Sequence, residues 1–235
     1  MSGLLRRALG VLGNGLRPSL REFLRARAHF HAALPSGPLI AQRYVVFDLE
    51  STGLDVSAGD RVISIGAVRL RDGDIRESFT TLVNPARSIP SGSIRYHGIT
   101  DAMVADAPPA AEALQGFRDF IGDDVLIAHN AGFDRALIYA EEFRGAPAIG
   151  NPFLCSLITS RWLDPAEEDH SLEGLCGRAG IVIAGRHQAL GDAEATAALW
   201  VSLLARAAAR GVDDLAELAR RARMTAAIAA AAEHF

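Results

Sequence analysis

Tyr44-Val45-Val46-Phe47-Asp48-Leu49-Glu50 is the most strand-like run in the chain, and two carboxylates stand at its end. A mostly apolar run of this length suits a strand in the middle of a sheet. Residues i and i+2 of a strand point to the same side, so Asp48 and Glu50 share a face and Leu49 takes the other. Ser51-Thr52-Gly53-Leu54 then turns the chain away, with Gly53 allowing close backbone approach to a ligand.

Outward from this run, residues 62–70 read as a second strand, and Asp72-Gly73 is a hairpin-turn dipeptide. Residues 75–83 return as a third strand, with Phe79 and Val83 on one face. Helical stretches follow at 110–121, 133–143, 156–162 and 172–179. Residues 125–128 make a short fourth strand, 151–154 are a weaker fifth, and a last long helix runs over 191–209. A hairpin followed by alternating strands and helices predicts an α/β class, a mixed sheet flanked by helices. Beyond Gly211 the chain is alanine-rich, with Asp213 or Asp214 as the N-cap of a helix carrying Leu215, Leu218, Met224 and Ile228. That segment is either a docking helix or a frayed tail.

The 235 residues, 49% of them hydrophobic, suit one α/β domain with appendages. The expected division is a basic helical arm over 1–40, a central domain over 41–210 and the alanine-rich helix over 211–235. No apolar run reaches the ~18 residues that span a bilayer, which predicts a soluble chain without membrane contact. Cys155 and Cys176 lack CxxC spacing, so a reducing cytoplasm is the simplest setting and neither disulfides nor zinc are indicated.

The net charge of −4 hides an asymmetry. Residues 1–43 hold seven arginines against the single acid Glu22. All 24 basic residues of the chain are arginine, which reads as a coding bias more than a preference for phosphate. A helix is expected over 19–33 with Leu20, Phe23, Leu24 and Phe30 as its apolar positions, ending before the boundary Pro35-Ser36-Gly37-Pro38. Three readings compete for this segment: a packing or partner-binding arm, a basic nucleic-acid contact, and a targeting peptide. The apolar run Leu9–Leu16 is interrupted by Gly13-Asn14-Gly15 and makes a poor secretory core. The arm is the preferred reading.

Two later stretches carry chemistry. His129-Asn130-Ala131-Gly132-Phe133-Asp134 follows the fourth strand, and His187-Gln188-Ala189-Leu190-Gly191-Asp192 opens the late helix. Asp48, Glu50, Asp134 and Asp192 are ligands of the kind that Mg²⁺ and Mn²⁺ prefer. Should they converge, they form a divalent-metal site with His187 as a general base beside it. Two ions ~3.5–4 Å apart activate water and stabilise a departing 3′ oxygen. This is chemistry for cutting phosphodiester bonds.

Asp-x-Glu on a first strand, His-Asn-x-x-Phe-Asp after a later one and His-x-x-x-x-Asp opening a late helix occur here in the order of a known family. Over about residues 43–206 the chain resembles the DEDDh 3′–5′ exonucleases, the group that looks like the proofreading epsilon subunit of bacterial replicative polymerases. Ser51-Thr52-Gly53-Leu54, His97-Gly98-Ile99-Thr100 and Ser171-Leu172-Glu173-Gly174-Leu175-Cys176 also match. The resemblance implies a ribonuclease-H-like, mixed five-stranded sheet. It implies that Asp48, Glu50 and Asp192 hold one ion, that Asp48 bridges to a second, and that Asp134 supports this second ion. His187 takes the proton of the attacking water, and Leu54 and His97 touch the terminal nucleotide. Thr52, Gly53 and Asn130 complete the substrate-binding set. The implied product is a nucleoside 5′-monophosphate, and the implied partners are a DNA polymerase or a second copy of the chain. Two positions depart from the pattern: Gly92 and Cys155 stand where relatives often carry acids.

Plainer readings stand beside these. Asp48 and Glu50 could face solvent at a strand end, and Asp134 alone would suit a helix N-terminus. His129 reads as structural, Asn130 as either a helix cap or a substrate contact, and Trp162 and Trp200 as core. Tyr96 either stacks on a base or packs, and the scattered arginines read mostly as a solvated face, although Arg95, Arg135 and Arg186 lie near the motifs and could meet phosphate. The motifs together point to a metal-dependent 3′–5′ exonuclease acting on single-stranded or frayed DNA ends. The alternatives are an RNA-directed exoribonuclease and a non-catalytic nucleic-acid-binding module tethered to a larger assembly.

Overall fold

The computed structural model describes residues 19–28 and 32–232. The Leu9–Leu16 run, Phe30 and the readings that depend on them lie outside the described residues. Five strands form one sheet in the order β3-β2-β1-β4-β5: β1 Tyr44–Ser51, β2 Val62–Arg71, β3 Asp74–Leu82, β4 Val125–Ala128 and β5 Phe153–Cys155. β1 pairs antiparallel with β2 and parallel with β4, so the acid-bearing strand lies at the centre of a mixed sheet. The hairpin between β2 and β3 turns at Asp72 and Gly73, both left-handed (φ 52° and 85°), as a two-residue type I′ turn requires. β3 is an edge strand, largely exposed and charged, which guards it against further pairing.

Strand alternation assigns the two faces. Val45, Phe47 and Leu49 point to one side, where helices Ala110–Ile121 (α4) and Ala131–Phe143 (α5) cover them through Leu114, Phe117, Leu137 and Ile138. Tyr44 and Val46 point to the other, against Trp200, Leu203 and Leu204 of helix Ala189–Ala209 (α8). Each such side chain, once buried, contributes roughly 1.5–3 kcal/mol. Asp48 and Glu50 continue the even-numbered series, so the same alternation directs them to the α8 side. A register shift after Glu50 ends the regular pairing with β2 beside the carboxylates.

The remaining helices are Leu20–Ala28 (α1), Ser91–His97 (α2), Asp101–Val104 (α3), Ser156–Leu163 (α6), Leu172–Ala179 (α7) and Leu215–Ala232 (α9). α1 begins in a capping box, in which the Glu22 N–H donates to the Ser19 hydroxyl (3.3 Å) and the Ser19 N–H to the Glu22 carboxylate (2.8 Å). It packs on α5 through buried Phe23, and Arg27 pairs with Glu142 at 2.6 Å. Asp214 caps α9, accepting from the N–H groups of Ala216 (2.9 Å) and Glu217 (3.1 Å). Leu215 and Leu218 of α9 are buried against the second face, whereas Met224, expected on that face, is 52% exposed. The buried positions continue instead with Ala219 and Ala222, which let the helix approach closely.

One contact sets the position of α8. Gly66 on β2 is the register partner of Asp48. A Cβ at Gly66 would lie 2.2 Å from both the Ala189 carbonyl carbon and the Leu190 nitrogen, atoms of the α8 backbone. Gly66→Ala should therefore push the first turn of α8 off the sheet and cost about 1–3 kcal/mol of stability. Denaturant unfolding of the metal-free protein measures it, and a midpoint equal to the parent's would mean that the helix slides at no cost.

Candidate metal centre

Asp48 and Glu50 leave the end of β1 on the α8 side, and Asp192 enters from the first turn of α8. The ligand atoms of these three carboxylates all lie within 4.8 Å of one another. Asp134, in the first turn of α5, is buried and outside this trio, yet its charge is the largest electrostatic influence on Asp48. Both helices are entered through a non-glycine residue in the left-handed region: Asn130 (φ 58°) before α5 and His187 (φ 60°) shortly before α8. Backbone strain of this kind persists where the surroundings over-determine it. Here the His187 N–H donates to Asp192 Oδ2 at 3.1 Å.

Burial, joined by mutual repulsion, shapes the electrostatics. Desolvation and the charges of Asp134, Glu50 and Asp192 lift Asp48 well above the ordinary carboxylate range. Glu50 is pushed up to about 8 by burial and by Asp192. Burial raises Asp134 to about 7 against the pull of nearby backbone N–H groups, that of Leu49 among them. Asp192 is also raised by burial, while Arg186 pulls it down. The donor set suits a hard divalent cation. Asp192 Oδ1 is buried and has no hydrogen-bond partner, an orphaned acceptor of the kind that an ion satisfies.

A cleft of about 770 Å³ opens beside the cluster, walled by Glu50, Leu54, Gly92, Tyr96, His97 and His187 among others. Leu54 is 85% exposed and Tyr96 72%, two apolar surfaces at its mouth. The Tyr96 ring meets His187 edge-on, 6.1 Å between centroids. His97 Nδ1 accepts the Ile99 N–H at 3.0 Å, and burial lowers its pKa, so the neutral ring carries its proton on Nε2.

The other residues singled out from the sequence have the following neighbours. The Thr52 side chain is fully buried, with its hydroxyl donating to Asp60 (2.8 Å) and accepting from the Arg61 N–H (3.0 Å). Gly53 lines the cleft, but the space its missing side chain leaves is filled by the Asp60 carboxylate, 2.4 Å from where a Cβ would sit. Asn130 stands at the N-cap of α5 without a side-chain cap bond, and it is exposed. His129 bonds the Ser156 hydroxyl at 2.9 Å, and burial lowers it to about 4, in keeping with a structural role.

Sequence reasoning missed α2, whose Ser93 hydroxyl donates to the Thr52 carbonyl (2.7 Å) and whose Tyr96 and His97 line the cleft. Pro90 at its start and left-handed Gly98 (φ 72°) at its end are the signals that could have marked it. Asp60 and Gly66 were missed as well, because neither carries a local pattern.

A family model described as Exonuclease, RNase_T, matches residues 45–200. A DNA polymerase III subunit epsilon-like protein of Rhodobacter capsulatus is 44% identical over 77% of the chain, and the match covers 26% of that relative. The chain thus spans about a quarter of that relative's length. The DNA polymerase III subunit epsilon of Aquifex aeolicus is 37% identical over 71% of the chain and 82% of its own length. Among solved structures, Exonuclease X in complex with 5′ overhanging duplex DNA superposes with a TM-score of 0.58 at 28% identity. That match covers 71% of this chain and 93% of the other. The mixed five-stranded sheet flanked by helices is the ribonuclease-H-like fold of such neighbours.

The raised carboxylates make stability depend on pH in a sense opposite to that of salt-bridged acids. Folded Glu50 and Asp134, at about 8 and about 7, hold protons that the unfolded chain releases near 4.5 and 3.8. Their contribution is complete below the ordinary carboxylate range and is lost as pH rises through about 8. In EDTA the melting temperature should therefore receive a falling contribution across that window, and stabilisation by added Mn²⁺ should grow across it. Parallel melting curves with and without Mn²⁺ at every pH would contradict this.

Proposed function

Belonging as it does to the DEDDh exonuclease family, the chain is a phosphodiester hydrolase, and we propose that it releases nucleoside 5′-monophosphates from the 3′ ends of single-stranded or frayed DNA. The observation that carries this reading is the convergence of Asp48, Glu50 and Asp192 within 4.8 Å, with buried Asp134 beside them. These four acids would hold two Mg²⁺ or Mn²⁺ ions. When bound, such ions acidify the attacking water and stabilise the departing 3′ oxygen.

The chain's own residues supply the rest. His187, which lines the same cleft as Glu50, accepts the proton of the attacking water, and its backbone N–H steadies Asp192 meanwhile. Leu54 and Tyr96 offer apolar surfaces on which the terminal base stacks. His97, on the same cleft wall, contacts the terminal nucleotide. A paired 3′ end must melt before its last phosphate reaches the acids, which favours single-stranded or frayed ends.

DNA as substrate is supported by the names of the polymerase III relatives and by the DNA bound to Exonuclease X. The names of the same relatives support a replicative polymerase as partner and proofreading as the role. Among the described residues no helix is long and apolar enough to cross a membrane.

Labelled DNA and RNA single strands with free or blocked 3′ ends, digested with Mg²⁺ or Mn²⁺, test the reading. Mononucleotides should appear from the free DNA end only when metal is present. Faster turnover of the RNA would make the enzyme an exoribonuclease, and saturable binding without release would make it a binding module. Asp48→Ala or Asp192→Ala should lower cleavage by several orders of magnitude while circular dichroism stays unchanged. His187→Ala should reduce kcat by roughly 10²–10⁴ with a smaller effect on KM, and an unaltered pH–rate profile would remove its role as base.

A further inference from the structure

Sequence leaves Arg186 open to substrate phosphate, but the fold commits it to two carboxylates. Its Nε donates to Glu173 Oε1 at 2.5 Å, and its Nη1 donates to Asp192 Oδ2. The same Oδ2 accepts the His187 N–H at 3.1 Å. With two donors on one oxygen, the Asp192 carboxylate cannot rotate without breaking both bonds. The other oxygen, Oδ1, is left buried and unpartnered.

The geometry points to Arg186 as a positioning residue that locks Asp192 so that Oδ1 is presented to the ion, with Glu173 as the anchor that holds Arg186 in place. This inference rests on the metal reading of the preceding subsection. Partners that hydrogen-bond to a ligating carboxylate fix its orientation, and their loss typically costs 10–100-fold in metal affinity. Glu173 is suited to anchoring because it sits in the first turn of α7, a helix capped by the Ser171 hydroxyl (3.1 Å from the Gly174 N–H). The rigid fork of a guanidinium serves two acids at once, whereas an ammonium on a flexible stem is a single point charge. A role for Arg186 on phosphate would require it to release both carboxylates.

Mn²⁺ binding to the full chain without nucleic acid, followed by electron paramagnetic resonance of the free ion, tests the assignment. Arg186→Gln should weaken Mn²⁺ binding by about 10–100-fold, and Arg186→Lys should recover only part of that loss. Glu173→Gln, which removes the anchor alone, should shift affinity in the same direction by a smaller factor. It keeps the test usable if Arg186→Gln melts early in EDTA. Raising Mn²⁺ should restore turnover of Arg186→Gln, with the KM for the oligonucleotide at saturating metal unchanged. Unaltered Mn²⁺ affinity with a raised KM would overturn the inference in favour of a phosphate contact. Tighter Mn²⁺ binding would overturn it by making the guanidinium a competitor of the ion. Failure of the parent protein itself to bind Mn²⁺ would sink the metal reading, and this inference with it.

Discussion

The first turn of α8 rests on β2 with no side chain between them, and the centre depends on that approach. Backbone meets backbone at Gly66, where even a methyl group would lie 2.2 Å from the helix. Gly66 is the register partner of Asp48, so the glycine sets the depth at which Asp192 comes down beside the acids of β1. A second glycine tightens the same corner. A Cβ at Gly191 would lie 2.0 Å from the Ala184 carbonyl oxygen, so the loop leading to His187 folds directly over the turn that carries Asp192.

Bringing these acids together works against electrostatics, and the fold meets the cost with local devices. One guanidinium sits among the carboxylates and is itself tied to Glu173 outside the cluster. Asn130 and His187 adopt left-handed backbone conformations where the chain enters α5 and α8, and each helix then presents an acid in its first turn. Carboxylates at helix N-termini also gain from the helix dipole. What remains is a set of acids raised by burial.

The flanking helices belong to the same packing as the central domain. Composition changes near residues 38 and 211, yet Phe23 of α1 lies in the core under α5, and Leu215 and Leu218 of α9, which packs on α6, lie in the core of the other face. The two flanks also touch each other: Pro38 forms a bridge with Asp214, and the Gly37 N–H donates to the Asp214 carboxylate at 3.3 Å. Phe23 and Arg27 of α1 are buried, which favours the packing reading of residues 20–28. Both helices lie outside the residues 45–200 that match the exonuclease family.

Local signals in the chain were strong where physical chemistry is local. Strand alternation, the Asp72-Gly73 turn and the caps at Ser171 and Asp214 each depend on a few neighbouring residues, and the order of the acid motifs carried the family resemblance. By itself the sequence determined the mixed α/β architecture, the central place of β1 and the shared face of Asp48 and Glu50. Only the tertiary structure decided what meets what across long separations. It buried the Thr52 side chain against Asp60, paired Arg186 with Glu173 and Asp192, and made α2 a wall of the cleft. The reason is that periodicity reports which side of an element a residue occupies, whereas a buried carboxylate's partner is set by how closely two backbones can approach.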